Sequence, residues 1–304
     1  MLKEHKINEK MTWYEAKDPN QAEQDRLVEL GITRELLFYA LDPNESARTE
    51  IDQPTGNVLI VFDIITPNSS LAATEPVSMI IDKKGNFYTI SRSTTARISE
   101  KLFAVGRENH LEPADLTAID IFINATSALV SEYISTISTA NRRRNIIQSN
   151  LRRKIQSGAI SSLMELETQM IYMLDSLRTD RTAISRLQAY LGVRVNDNQK
   201  EYFADLLVEN TQAIDMANQA AEVITAISGA YSNLNNQRLD KSLRALTMLQ
   251  ALMAVPTVVT GFYGMNMHLP LASLQYSWII TFGITIILIA IEVFILVKIH
   301  FFDR

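Results

Sequence analysis

The chain contains no cysteine, so disulfide cross-links and thiolate metal sites are excluded. It lacks a positive excess: 29 Lys and Arg against 34 Asp and Glu give a formal charge of −5, and no electrostatic case for nucleic acid follows. No glycine-rich phosphate loop is present, and the four histidines (His5, His110, His268 and His300) fall in no catalytic spacing. An enzyme is therefore poorly supported, and no organic cofactor is expected. Met1–Lys6 has no apolar run behind it, so no signal peptide is expected either. There is no repeat at solenoid periods and no low-complexity tract.

Charge is also missing locally, and that absence carries the most information. Between Arg244 and Asp303 the only charged side chains are Glu292 and Lys298. Crossing about 30 Å of hydrocarbon takes roughly 20 helical residues, so two spans fit, about 245–263 and 278–297. The first 240 residues are polar, the last 60 strongly apolar: a large aqueous part with a small C-terminal membrane hairpin. Arg238, Lys241 and Arg244 precede the first span, Lys298 and Arg304 follow the second, and residues 266–277 hold no Lys or Arg. By the positive-inside rule both termini are cytoplasmic and the short loop is outside, in a cell (inner) membrane.

Residues 1–110 mix short segments. Val58–Ile65, Val77–Ile81 and Phe87–Ser91 read as strands bounded by Pro, Gly and Asn turns, and Ala22–Leu30 and Thr33–Ala40 as short helices. From Ala114 to Tyr263 there are four glycines and one proline, with apolar residues at three- and four-residue spacing. Helices are expected at 114–156, 159–190 and 198–263, with breaks at Ser157-Gly158 and at 191–198. The last would run close to 100 Å at 1.5 Å per residue, too long for a core element of a monomer. The expected organisation is an α+β domain (1–110), antiparallel helices (111–197), a stalk helix entering the membrane (198–263), a loop (264–277), a second span (278–298) and a tail (299–304). Arg142-Arg143-Arg144 with Arg152-Arg153-Lys154 reads as a solvated helix face pairing with acids, or alternatively as an anionic-ligand surface.

At the end of the first span stands Tyr263-Gly264-Met265-Asn266. Asn266, just past a helix end, can offer an amide oxygen to a cation that keeps its waters, as Mg2+ does. Gly264 permits the turn and Tyr263 can brace it at the interface. The alternative is a plain helix C-cap. Helical steps back from Asn266 give Gly261, Thr257, Ala254, Gln250, Leu246 or Thr247, Leu243 and Asp240. That stripe alternates small or neutral-polar groups with apolar rings, suiting a water-filled path that Leu243 and Leu246 could close by dewetting. Leu249, Leu252, Val255, Val259 and Phe262 on the other side would face lipid or the second span. Pro256 deprives the carbonyl near Leu252 of its helical donor.

Gly264-Met265-Asn266 between two C-terminal spans resembles the defining motif of the CorA family of magnesium transporters. Asp240-Lys-Ser-Leu-Arg-Ala-Leu-Thr247 is similar to the family's approach to the first span, and the order of αβ part and long helices matches over the whole chain. The resemblance implies a homopentameric funnel in the lipid bilayer, five long helices around a pore, and a selectivity site at Gly264, Met265 and Asn266. It implies gated import of hydrated Mg2+, with Co2+ or Ni2+ as further cargoes, closed by cytoplasmic Mg2+. Asp205 falls where the family's regulatory Asp stretch begins, with Asp63 or Asp82 of a neighbour as candidate partner. This chain departs from the pattern in four ways: no acid in residues 267–276, a tail with few basic residues, Asp240 where an amide is usual, and Glu292 inside the second span. Glu292 either bonds Gln250, reaches towards Lys298, or couples protons. A zinc transporter of the same superfamily is the alternative, and a membrane-anchored scaffold a further one.

Overall fold

The structure, a computed structural model, describes residues 1–66, 74–96, 98, 116–153, 157–265 and 276–298. Asn266 and His268 lie outside the described residues, as do His110, Lys154, His300 and the tail. The chain divides into two compact units, Met1–Ser228 and Gly229–Arg304.

In the first unit six strands form one mixed sheet, β1 (Leu2–Lys6), β2 (Thr12–Lys17), β3 (Arg48–Ile51), β4 (Val58–Ile65), β5 (Thr74–Ile81) and β6 (Phe87–Ser91), in the order β1-β2-β6-β5-β4-β3. Only β2 and β6 run parallel; the other neighbours are antiparallel. Residues 58–62 of β4 are all buried, because helices cover both faces of the sheet; a strand of that kind reads as a continuous apolar run. On one face lie α1 (Gln21–Glu29) and α2 (Arg34–Leu41). Leu27, Ile32, Leu36 and Leu37 pack there with Leu59, Val61, Ile80 and Tyr88. Asn20 and Glu23 close α1 with a reciprocal capping box, each side chain accepting from the other's backbone N–H at 3.0 Å. Buried Trp13 donates its indole N–H to Thr89 Oγ1 at 3.0 Å, which satisfies the one polar atom of the largest core side chain.

Against the other face come α3 (Ala118–Arg153) and α4 (Ser157–Leu191), and a short 3-10 turn, Gly192–Arg194, leads to α5 (Asp197–Tyr263). Asn196 caps α5 by accepting from Gln199 N–H at 2.8 Å while Gln199 Oε1 accepts from Asn196 N–H at 3.2 Å. Gln199 also donates to Asp120 at 2.8 Å, tying the first turns of α3 and α5 together. Phe122 and Phe203 meet one turn further, their rings 6.4 Å apart. Of the arginine cluster, Arg143 pairs with Glu165 on α4 at 3.7 Å, the solvated, acid-paired face expected.

The second unit holds the end of α5 and α6 (Ser277–Lys298). Among the described residues, the chain has two helices long and apolar enough to cross a membrane, α5 and α6.

Candidate functional site

Of the motif, Gly264 and Met265 are described, and the last turns of α5 position them. Pro256 sits inside the helix, where it has no N–H for the Leu252 carbonyl. The threonine hydroxyls beside it bond other carbonyls of the same helix. Thr257 Oγ1 donates to the Met253 carbonyl at 2.7 Å, and Thr260 Oγ1 to the carbonyls of Pro256 at 2.8 Å and Thr257 at 3.2 Å. Each hydroxyl keeps its oxygen lone pairs free to accept from water.

The helix ends at Tyr263. Gly264 N–H donates to the Thr260 carbonyl at 2.9 Å, and Met265 N–H to that of Phe262 at 3.3 Å. Gly264 is not among the glycines with positive φ, so left-handed freedom is not why glycine is needed. Close approach is the reason: a Cβ on residue 264 would stand 3.0 Å from the Thr260 carbonyl oxygen. Tyr263 packs edge-on to Phe262, with ring centroids 5.5 Å apart.

The stripe residues Asp240, Leu243, Leu246, Gln250, Ala254, Thr257 and Gly261 are all exposed in the single chain. Of the residues expected opposite them, Val255 and Val259 face α6. They line an apolar groove of about 400 Å³ with Val258, Leu288, Ile291, Ile295 and Leu296, while Leu249 and Phe262 stay exposed. Ala254 also borders this groove, so its methyl lies between the stripe and α6. A second groove, about 710 Å³, runs between Pro256, Thr260 and Tyr263 and the Trp278 end of α6.

Glu292 opens into the first groove. Its Oε2 is shielded from solvent and has no hydrogen-bond partner, so neither Gln250 nor Lys298 engages that oxygen. Carboxylates are rare in hydrocarbon and usually paired, which makes the lone oxygen a feature that sequence alone did not reveal.

The candidate regulatory acids are treated unequally. Asp205 is exposed on α5. The oxygens of Asp82 are already engaged in the β5–β6 turn: Oδ1 accepts from Lys84 N–H and Asn86 N–H, and Oδ2 from the Asn86 amide and Tyr88 hydroxyl. That occupancy makes Asp82 a turn anchor. Burial, with Asp82 beside it, pushes the Tyr88 hydroxyl well up. Asp63 is partly buried, and desolvation first, then Asp175, raises its carboxyl above the usual range. Among the described residues, no group of three or more His, Asp or Glu could hold a metal ion.

Comparison with known proteins matches this architecture. A family profile described as CorA-like Mg2+ transporter protein fits residues 8–298. The cobalt/magnesium transport protein CorA of Methanocaldococcus jannaschii is 27% identical over 94% of this chain and 90% of its own length. That of Thermotoga maritima is 17% identical over 88% and 77%. The complete CorA structure from M. jannaschii superposes with a TM-score of 0.80 at 23% identity, covering 94% of this chain and 90% of that one. The cytoplasmic domain of ZntB from Vibrio parahaemolyticus shares the fold at 10% identity, with a TM-score of 0.62 over 75% of this chain and 91% of that one. A profile match over almost the full length places the chain in the CorA-like Mg2+ transporter family, as a membrane transporter of divalent cations and not an enzyme.

Proposed function

We propose that five copies of this chain surround a pore through which hydrated Mg2+ enters the cell, and that cytoplasmic Mg2+ closes it. The observation that carries this reading is the chemistry of the α5 face leading to Gly264. Gln250, Thr257 and Gly261 are neutral, small or amide-bearing, and exposed inside a segment otherwise fit for lipid. Polar groups at that depth need water or neighbouring helices, and a ring of copies supplies both. Residues 1–244 and the tail 299–304 lie in the cytoplasm, and 264–277 outside the inner membrane. Asn266 at the outer end of the stripe offers an amide to bound water and not a charge to bare metal, which suits a dication reluctant to shed its shell. The driving force is the inside-negative potential, about 2.3 kcal/mol per charge per 100 mV and twice that for a dication.

The M. jannaschii and T. maritima relatives are named cobalt/magnesium transport proteins, which supports Mg2+ with Co2+ as a second cargo. Absence of cysteine leaves little for a softer metal to prefer. The test is uptake of Mg2+, Co2+ and Zn2+ into liposomes holding the purified protein, with and without a proton gradient. Asn266→Ala should abolish Mg2+ uptake while the oligomer survives size-exclusion chromatography. Normal flux in that variant removes the selectivity site, and uptake confined to Zn2+ with a proton gradient replaces the reading altogether.

A further inference from the structure

From Phe203 to Ile227 the enclosed positions of α5 alternate steps of three and four residues, the seven-residue repeat of a coiled-coil seam. The ends of this seam are bulky, and its middle consists of Ala213, Ala217 and Ala220. Asn210 stands just before the alanines at 0% exposure. Neither its amide nitrogen nor its amide oxygen has a hydrogen-bond partner. The other polar side chains at 0% exposure are each bonded. Thr49 and Thr126 donate to the Ala183 and Phe122 carbonyls, Thr89 accepts from Trp13 and Thr95 from the Arg92 N–H, and Asp180 accepts from the Asp63 N–H. Among the described residues, Asn210 is thus the one fully enclosed polar side chain with no bonded atom. Two ties bracket the stretch: the Ser127 hydroxyl of α3 donates to Glu209 at 2.8 Å, and Arg178 of α4 donates to Asn218 at 3.3 Å.

We propose that residues 210–220 of α5 are a built-in weak point, which parts from α3 and α4 when the channel opens and lets the Asn210 amide reach water. An amide offers two donors and a two-lone-pair acceptor, and enclosing all of them unbonded forfeits the hydrogen bonds that water would supply. Parting returns those bonds. It also gives up little apolar contact, because alanine buries the least surface of the seam residues. A polar residue in a seam fixes register where it finds a partner across the interface. Asn210 finds none, so register is not what it contributes. A buried polar group left unbonded is a reservoir of strain instead. The helix that carries it runs unbroken from Asp197 to Tyr263, so a displacement at 210–220 is carried along one rigid element. The gating part of this inference rests on the transport reading above. Cytoplasmic Mg2+ favours the packed seam, the unbonded amide opposes it, and their balance sets the Mg2+ level at which flux stops.

The test is hydrogen exchange of the full-length protein in detergent at constant pH and Mg2+, followed at residues 203–220. Asn210→Leu keeps the branched outline of the side chain without its polar atoms, and should lower the opening equilibrium constant of this segment by about tenfold. Asn210→Ala extends the alanine run without adding bulk, and should lower it too if leucine proves too large for the seam. If neither variant lowers it, the amide holds the seam together and the weak point is refuted. In proteoliposomes, uptake is then measured as Mg2+ on the cytoplasmic side is raised. The variant with the quieter seam should shut at a lower Mg2+ level than wild type. An unchanged or higher level overturns the link between seam and gate. Wild-type uptake that ignores cytoplasmic Mg2+ refutes the transport reading instead, and the exchange comparison still decides the weak point.

Discussion

Replacing Gly264 by alanine adds a methyl group at the one place where the end of α5 has no room for it. The Cβ stands 3.0 Å from the Thr260 carbonyl oxygen, against 3.4 Å for ordinary contact, so the turn must open by about 0.4 Å. A backbone oxygen cannot rotate aside as a flexible side chain would. That oxygen also holds the Gly264 N–H at 2.9 Å, so opening the turn stretches a helix-ending hydrogen bond worth about 1 kcal/mol. Against a total stability of about 5–15 kcal/mol this is too little to unfold the chain. It is enough to displace a site that needs placement within about 0.5 Å, and Asn266 follows two residues later. The expected result is a loss of Mg2+ uptake of about tenfold or more in proteoliposomes, with unchanged assembly and melting temperature. Gly261→Ala is the control, since a Cβ there meets nothing within 4 Å in the single chain. Any loss in that variant reports crowding from neighbouring copies around the path. Wild-type flux in Gly264→Ala refutes the positioning argument, and wild-type flux in Gly261→Ala takes residue 261 off the pore face.

Glu292→Gln should leave the pH profile of uptake unchanged, because a neutral amide fits the same apolar groove; a flattened profile would establish proton coupling. Asp205→Asn should make the first unit less protease-resistant in Mg2+ than wild type, and an unchanged digestion pattern removes the proposed sensor role. Asp82→Ala removes the acceptor of four hydrogen bonds and should destabilise the first unit by about 1–3 kcal/mol in denaturant titration. Its Mg2+-dependent protection should persist, and loss of that protection without loss of stability would reinstate Asp82 as a ligand.

Apolar runs and helical periodicity were readable from residues alone, because burial on both faces leaves β4 and β6 with a single charged position, Asp63, to blur their limits. Strands β1, β2 and β3 were missed for the opposite reason. Leu2–Lys6 and Arg48–Ile51 are edge strands carrying Lys, Glu, His and Arg, the charges that keep sheet edges from pairing with other chains. In β2, buried Glu15 meets His5 at 3.2 Å, a pairing that only the fold brings about. Asp180 stands in Arg178-Thr-Asp-Arg181, which reads as a solvated face. A signal was nevertheless there: Met173, Leu177, Asp180, Ile184 and Leu187 follow the three- and four-residue spacing of one buried stripe. The acid occupies a core position on that stripe, although Arg178 and Arg181 flank it in sequence. Gly264 was expected to serve the turn through its backbone freedom, whereas what constrains it is close approach to the Thr260 carbonyl oxygen, which leaves no trace in the residues around it.

Burial differs sharply between the two units, and that difference bears on how the hairpin is held. The first unit has its own continuous core, with side chains such as Trp13, Phe62, Phe122 and Phe203 almost fully enclosed. Among the described residues of the second unit only Tyr231 and Val259 are buried, while Leu243, Leu246, Leu249, Val258 and Phe262 expose about half or more of their surface. Lipid suffices for the aliphatic side chains, whose transfer from water to hydrocarbon is favourable. It does not suffice for Gln250 or for the acceptor lone pairs of Thr257, which gain nothing from acyl chains. Those groups are satisfied only if the face that bears them meets water or another helix. Substituting Thr257 by valine, nearly equal in shape, should therefore leave the hairpin inserted and assembled yet slow the ion, and an unaffected rate would place Thr257 against protein and not along the path.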